Sequence, residues 1–339
     1  MDRPSEKIRF GVIGCSRVAE RGMIPAICDS DLAELVIIGK QNDEEEKTKT
    51  ETVQPYCAVW GTYDEIINSK DVDAVYVSLP NALHEEWTIK AAEKGKHVLC
   101  EKPAALSYAS AQRMVAAARK SKARLIEGLM FRYHPQNVKV MEWIKEGVLG
   151  GLLRFESCFA FAMPDRASNA MNKNLGGGSF NDQGPYGVAT SRMVFGEEPV
   201  SVLCSMKTDV ESGVDVMADM VLYYPNEKIA FSSTLFGSYY QSTYSVLSTK
   251  AHVRMARAYA VPRDMKTKIF LDADDEVQEF VIEPADHFRL MVDDFVGEIL
   301  KGEWSRKDFE GDLLAQARVL EAARVSAREQ RIVHLSEIV

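Results

Sequence analysis

Histidine and cysteine are scarce, with six of each in 339 residues. Cys15, Cys28, Cys57, Cys100, Cys158 and Cys204 form no C-x-x-C pair, and no His/Cys/carboxylate cluster has metal-ligand spacing. These absences exclude a zinc centre or a disulfide scaffold and leave reduced, mostly buried thiols as the expectation. Basic blocks are missing too. Lys and Arg are interspersed with acids and the net charge is -9, so neither nucleic acid nor an anionic membrane is an expected partner. No apolar run is long enough to span a bilayer. The charged start, residues 1–7, has no secretory signal and leads straight into a strand, which points to a cytoplasmic protein. Repeats, low-complexity stretches and long linkers are absent as well.

What is present is an ordinary globular composition, 46% hydrophobic and 27% charged, at a length that suggests two domains. Through residue 128, short apolar strands (8–13, 35–38, 58–60, 74–79, 97–100, 125–127) alternate with helical segments (18–28, 44–51, 63–69, 82–94, 107–121). That alternation predicts an α/β unit with a parallel, doubly wound sheet over residues 1–128. From residue 129 to 339 the pattern changes. After a helix at 136–147, residues 153–161 alternate, and strand-like runs recur at 200–207, 214–223, 229–236, 239–247, 252–257, 269–271 and 277–282. This second, α+β part reads as an antiparallel sheet with a helix at about 185–195. Helices at 286–301 and 312–328 are expected to pack back on the first domain. The crevice between two such domains is the default place for a site.

Gly14-Cys15-Ser16-Arg17-Val18-Ala19 closes the first strand and opens the first helix. It matches G-x-G-x-x-A except that Ser16 takes the second glycine's place. In this motif the first glycine makes the tight turn and the helix N-terminus receives a pyrophosphate. The second strand ends at Gly39-Lys40, where an NAD-preferring site would carry Asp or Glu for the ribose 2′-hydroxyl. Lys40 could instead pair with a 2′-phosphate, so the expected cofactor is NADP(H). Lys40 also reads as a solvated loop lysine, with the acidic run 43–46 competing for it.

Glu101-Lys102-Pro103 follows the strand at 97–100. A lysine at a strand's carboxyl end can be aimed into the crevice of an open α/β sheet, where its ammonium can bond a substrate oxygen or lower the pKa of a neighbouring phenol. Taken alone, such a lysine also reads as part of a surface turn.

The runs 75–84, 91–103, 131–136 and 175–186 together resemble the Gfo/Idh/MocA oxidoreductase family in order and spacing, across nearly the whole chain. The resemblance implies a Rossmann domain plus an open-faced, mainly antiparallel sheet domain, and a nicotinamide cofactor. It implies that Gly14 and Ala19 lie at the dinucleotide turn and that Leu79, Pro80, Asn81 and His84 form the loop under the cofactor. Glu101 and Lys102 would face nicotinamide and substrate, Asp182 would face substrate, and Arg132 would border the site. Cys15, Ser16, Arg17 and Val18 complete the expected cofactor turn. Tyr186 stands four residues after Asp182, where inositol-dehydrogenase-like members carry histidine. Tyrosine there resembles glucose–fructose oxidoreductase, dihydrodiol dehydrogenase and the ketoreductases of nucleotide-linked deoxysugars. Residues 236–240, 244, 257–259 and 286–288 lean toward the last group. Two departures are Ala170, where many relatives have arginine, and Ser16.

The implied chemistry is reduction of a sugar ketone at C-3, with Tyr186 as general acid, Lys102 as its electrostatic partner and Asp182 holding a hydroxyl or orienting Lys102. Lys102 as direct donor is the swapped assignment, and Asp182 also reads as a helix N-cap. An aldose or dihydrodiol dehydrogenase is the alternative in the same class. A non-catalytic NADP-sensing regulator is the alternative outside it. A wide apolar sheet face is rarely left wet, so a homodimer or homotetramer is expected.

Overall fold

The computed structural model describes residues 7–39, 59–302 and 307–339. Lys40, the helix expected at 44–51 and the acidic run beside it lie outside the described residues. The chain divides into two compact units. One holds the N-terminal residues to Ala105 with Ala109–Met130 and Phe288–Leu314; the other holds Leu106–Tyr108, Phe131–His287 and Ala315–Val339.

The first unit contains β1 (Ile8–Ile13), β2 (Ala33–Gly39), β3 (Trp60–Gly61), β4 (Ala74–Val77), β5 (His97–Cys100) and β6 (Leu125–Glu127), in the order β3-β2-β1-β4-β5-β6. Every pairing is parallel. In β1, Phe10, Val12 and Ile13 are fully buried, and β4 is buried throughout, as befits strands covered on both faces. Strand order reverses direction between β1 and β4. That switch point is where open α/β sheets bind ligands, beyond the carboxyl ends of the strands. A π-helical turn, Ala19–Met23, leads into α1 (Ile24–Asp29). α2 (Tyr63–Asn68) starts on a capping box in which Thr62 accepts from the Glu65 amide and Glu65 reaches back to Thr62. α3 (His84–Glu93) and α4 (Tyr108–Lys120) follow where the apolar periodicity places them.

The second unit opens with α5 (Pro135–Lys145), then β7 (Leu152–Phe161) and α6 (Ser179–Phe195). The strands β8 (Ser201–Thr208), β9 (Asp215–Tyr223), β10 (Ile229–Phe236), β11 (Gln241–Ser248), β12 (Ala251–Met255), β13 (Thr267–Ala273) and β14 (Glu276–Ile282) come next. α7 (His287–Leu300) belongs, from Phe288 on, to the first unit; α8 (Phe309–Glu329) starts in the first unit and, from Ala315, belongs to the second, which ends with the short β15 (Val333–His334). The nine-stranded order is β14-β13-β12-β11-β7-β10-β9-β8-β15, antiparallel except for the parallel pair β7–β10. One face is packed: Phe155 is fully buried and Phe159 nearly so, each such ring contributing about 1.5–3 kcal/mol. The other face shows Leu203, Phe231 and Leu247 among Arg154, Glu156 and Arg254. α6 lies against the packed face so closely that a Cβ on Gly187 would sit 2.0 Å from Ser232 Oγ. Leu153 departs from the expected alternation; it shares the parity of Phe155 but is exposed at the start of the strand.

α6 corrects one boundary. The sequence suggests a helix from about 185, whereas it begins at Ser179 and carries Pro185 inside it. The first amides of any helix lack an intrahelical acceptor, so the start of α6 needs outside support. Asp215 on β9 supplies it, accepting from the Phe180 amide at 2.6 Å and from Ser179 Oγ at 2.8 Å.

Candidate active site

In the first unit the dinucleotide turn sits at the switch point. Gly14 has φ +85°, and a Cβ there would strike the Ser78 carbonyl oxygen at 2.6 Å, so glycine is required by both conformation and contact. Ser16 Oγ lies 2.5 Å from Ser78 Oγ, tying the end of β1 to the end of β4. The same hydroxyl accepts from the Ala19 amide at 3.2 Å and so caps the helix that opens here. Arg17 and Val18 are exposed at that helix start and Cys15 is half-buried. A tight turn, a small residue and a helix N-terminus at the switch point fit a dinucleotide pyrophosphate.

Gly39 is placed differently from the sequence argument. It is buried at the end of β2, where a Cβ would meet the Tyr63 ring at 2.6 Å and Ile66 at 2.7 Å. Its missing side chain is therefore demanded by α2.

The loop after β4 carries Leu79, Pro80 and Asn81, all half-buried, and turns into α3 at His84. His84 is fully buried, with its ring nitrogens 2.9 Å from the Leu79 and Pro103 carbonyl oxygens. A neutral ring has one N–H and donates it to one of them. Burial holds its pKa below the usual histidine value. His84 thus braces two loops from behind, and sequence reasoning did not separate that role from direct contact.

Lys102 stands in the second of those loops, half-exposed, at a cis peptide bond to Pro103. Its neighbours are pinned. Tyr76, buried in β4, donates to Glu101 Oε1 at 2.6 Å, and the Ala104 amide donates to Glu127 Oε1 at 2.9 Å. Burial, then the Glu101 charge, pushes the Tyr76 phenol well above its ordinary pKa, so Tyr76 is a neutral donor at physiological pH.

In the second unit Asp182 and Tyr186 lie four residues apart on α6 and so share a face. Asp182 is half-exposed and its amide donates to the Gly178 carbonyl. It lies inside the helix, so the N-cap alternative is overturned. The Tyr186 ring is wedged among Phe159 at 5.1 Å, Tyr259 at 5.3 Å and Phe131 at 5.6 Å between centroids. Arg132 sits on the one-turn helix Met130–Tyr133 next to Phe131. Three supports of α6 were not legible in the sequence. Besides Asp215, Arg324 on α8 donates to Asn181 Oδ1 at 2.9 Å. Fully buried Gln316, also on α8, donates to the Pro185 carbonyl at 2.9 Å, one residue before Tyr186, and accepts from Arg192 at 3.1 Å. Nothing in the local sequence marks residues 130 positions downstream as partners of this turn.

Comparison with known proteins agrees with this fold. Residues 8–129 match the profile of the Gfo/Idh/MocA oxidoreductase family with its NAD-binding Rossmann fold, and residues 137–254 match the Gfo/Idh/MocA C-terminal domain. A dTDP-3,4-didehydro-2,6-dideoxy-alpha-D-glucose 3-reductase of Actinomadura kijaniata is 30% identical over 333 residues, 97% of this chain and 99% of the relative. A D-xylose 1-dehydrogenase (NADP(+)) of Haloferax volcanii is 28% identical over 327 residues, 96% of this chain and 99% of the relative. The crystal structure of a 3-ketoreductase from Actinomadura kijaniata with NADP and TDP-benzene has a TM-score of 0.87 at 28% identity, covering 95% of this chain and 98% of that one. Tyrosine-to-phenylalanine and lysine-to-alanine variants of that enzyme give 0.88 and 0.84. With both halves of the family matched in order, this chain belongs to the Gfo/Idh/MocA family and is an oxidoreductase.

Proposed function

We propose that this chain is an NADPH-dependent reductase acting on a keto group, at C-3, of a nucleotide-linked hexose. The observation that carries the reading is likeness along almost the full length to a 3-ketoreductase solved with NADP and TDP-benzene. NADP is favoured over NAD by that complex and by the NADP-dependent xylose dehydrogenase relative. Tighter binding of NADH than of NADPH would contradict it.

A bound reduced nicotinamide supplies the hydride. This chain's residues supply the rest. Tyr186 donates its phenolic proton to the carbonyl oxygen as the hydride reaches the carbon, so that the ketone becomes an alcohol. A free phenol titrates near pH 10, so the donor needs a cation to stabilise the phenolate it leaves. Lys102 supplies that charge and hydrogen-bonds the substrate oxygen. Asp182, on the Tyr186 face of α6, binds a sugar hydroxyl. Gly14 and Ser16 shape the pyrophosphate turn, and the Leu79–Asn81 loop, braced by His84, supports the cofactor. Arg132 borders the site.

The second reading, an NADP-dependent aldose dehydrogenase, uses the same groups in reverse and is favoured by the xylose dehydrogenase relative. A substrate panel separates the two. Turnover confined to a nucleotide-linked sugar supports the ketoreductase, and oxidation of a free aldose supports the dehydrogenase. We further propose that a second copy of the chain covers the bare face of the nine-stranded sheet, where Phe231 and Leu247 are exposed. A monomer in light scattering would contradict this.

A further inference from the structure

One rim of the nine-stranded sheet carries the substrate half of the site. The ends of β7 and β10 and the start of β11 meet there, as do the end of β12 and the start of β9, because β7 and β10 are parallel and their neighbours antiparallel. The helix bearing Asp182 and Tyr186 begins from the same rim, where Asp215 caps it. Three arginines occupy its loops. Arg166 is spent on Asp209 and Glu211, each at 3.0 Å, and Arg263 faces Asp286 at 3.8 Å. Arg257 has no carboxylate partner among the described residues. Its guanidinium carbon lies 4.3 Å above the Tyr240 ring. Arg257 Nε and the Tyr240 hydroxyl are enclosed and make no hydrogen bond among the described residues.

This arginine is also rigidly mounted. Gln136 donates to the Arg257 carbonyl at 2.8 Å, and the Ala258 and Tyr259 amides donate to Ser242. Tyr259 in turn donates to Ser157 and packs on Tyr186 at 5.3 Å. Arg257 is therefore fixed two residues from a ring that touches the candidate acid. An unneutralised guanidinium stacked on an aromatic ring is pre-organised for a forked pair of bonds to a phosphate. Next to Tyr240 in sequence, Tyr239 is 84% exposed, an aromatic surface with little packing around it. A planar base stacks readily on such a ring.

We infer that Arg257, seated on Tyr240, anchors the diphosphate of a nucleoside diphosphate-linked substrate, with Tyr239 offering its ring to the base. The inference rests on the ketoreductase reading and sharpens it, because a free aldose has nothing for this arginine to hold.

The test is calorimetric titration of the whole chain, saturated with NADP⁺, with thymidine diphosphate and with inorganic pyrophosphate. Arg257→Gln is expected to weaken both by about 10- to 100-fold, the usual size of a lost bond to a charged group. Arg257→Lys, which keeps the charge but loses the fork, should fall between Gln and the parent. Tyr239→Ala should weaken thymidine diphosphate and leave pyrophosphate unchanged. Retained NADP⁺ affinity shows that each variant folds. Unchanged thymidine diphosphate binding in Arg257→Gln would overturn the anchor and leave the ketoreductase reading standing. A parent chain that binds neither probe yet oxidises a free aldose would overturn that reading, and the anchor with it.

Discussion

Two helices that carry candidate site residues, one in each unit, are capped in opposite ways. The helix after Gly14 is capped locally: Ser16, three residues ahead, takes the Ala19 amide. α6 is capped from a distance: Asp215 reaches the Phe180 amide across 35 positions of sequence. The first is a property of a hexapeptide. The second exists only after β9 has been laid beside the helix. Cofactor turns can therefore be read along the chain, whereas the turn that carries Asp182 and Tyr186 depends on β9 and α8.

The largest effect concerns Lys102. If it serves the proton transfer, Lys102→Ala should lower kcat on the order of 10²–10⁴-fold while the fold is retained, since its neighbours Glu101 and Ala104 keep their bonds to Tyr76 and Glu127. A loss confined to KM would place Lys102 in binding alone. Next comes the distant cap. Asp215→Ala leaves the Phe180 amide at the start of α6 without its acceptor and should cost about 2 kcal/mol in thermal or denaturant unfolding. It should also lower kcat more than it changes NADPH affinity, because α6 carries Asp182 and Tyr186. The smallest is the local cap. Ser16→Ala should cost about 1 kcal/mol and act mainly on cofactor affinity. If the two cap variants exchanged their readouts, with Asp215→Ala changing cofactor affinity and Ser16→Ala changing kcat, the contrast between the helices would be wrong.

The same contrast explains what the sequence made legible. The parallel sheet, the Thr62 cap and the dinucleotide turn each follow from residues within a few positions of one another. The early start of α6 did not, because Pro185 argues locally against a helix and the compensating groups, Asp215, Gln316 and Arg324, lie far downstream. Gly39 looked like a statement about the ribose, yet Tyr63, 24 residues on, fills the space its side chain would need. His84 looked like a ligand-facing residue, but both ring nitrogens face backbone carbonyls. In each instance the missing information was a long-range packing partner.

The most direct test follows nicotinamide absorbance with the parent and with Tyr186→Phe, across free aldoses, sugar phosphates and nucleotide-linked sugars with their 3-keto forms. The account predicts NADPH-linked turnover on the nucleotide-linked substrate, collapsing in Tyr186→Phe while NADPH still binds. Full turnover by Tyr186→Phe would contradict it.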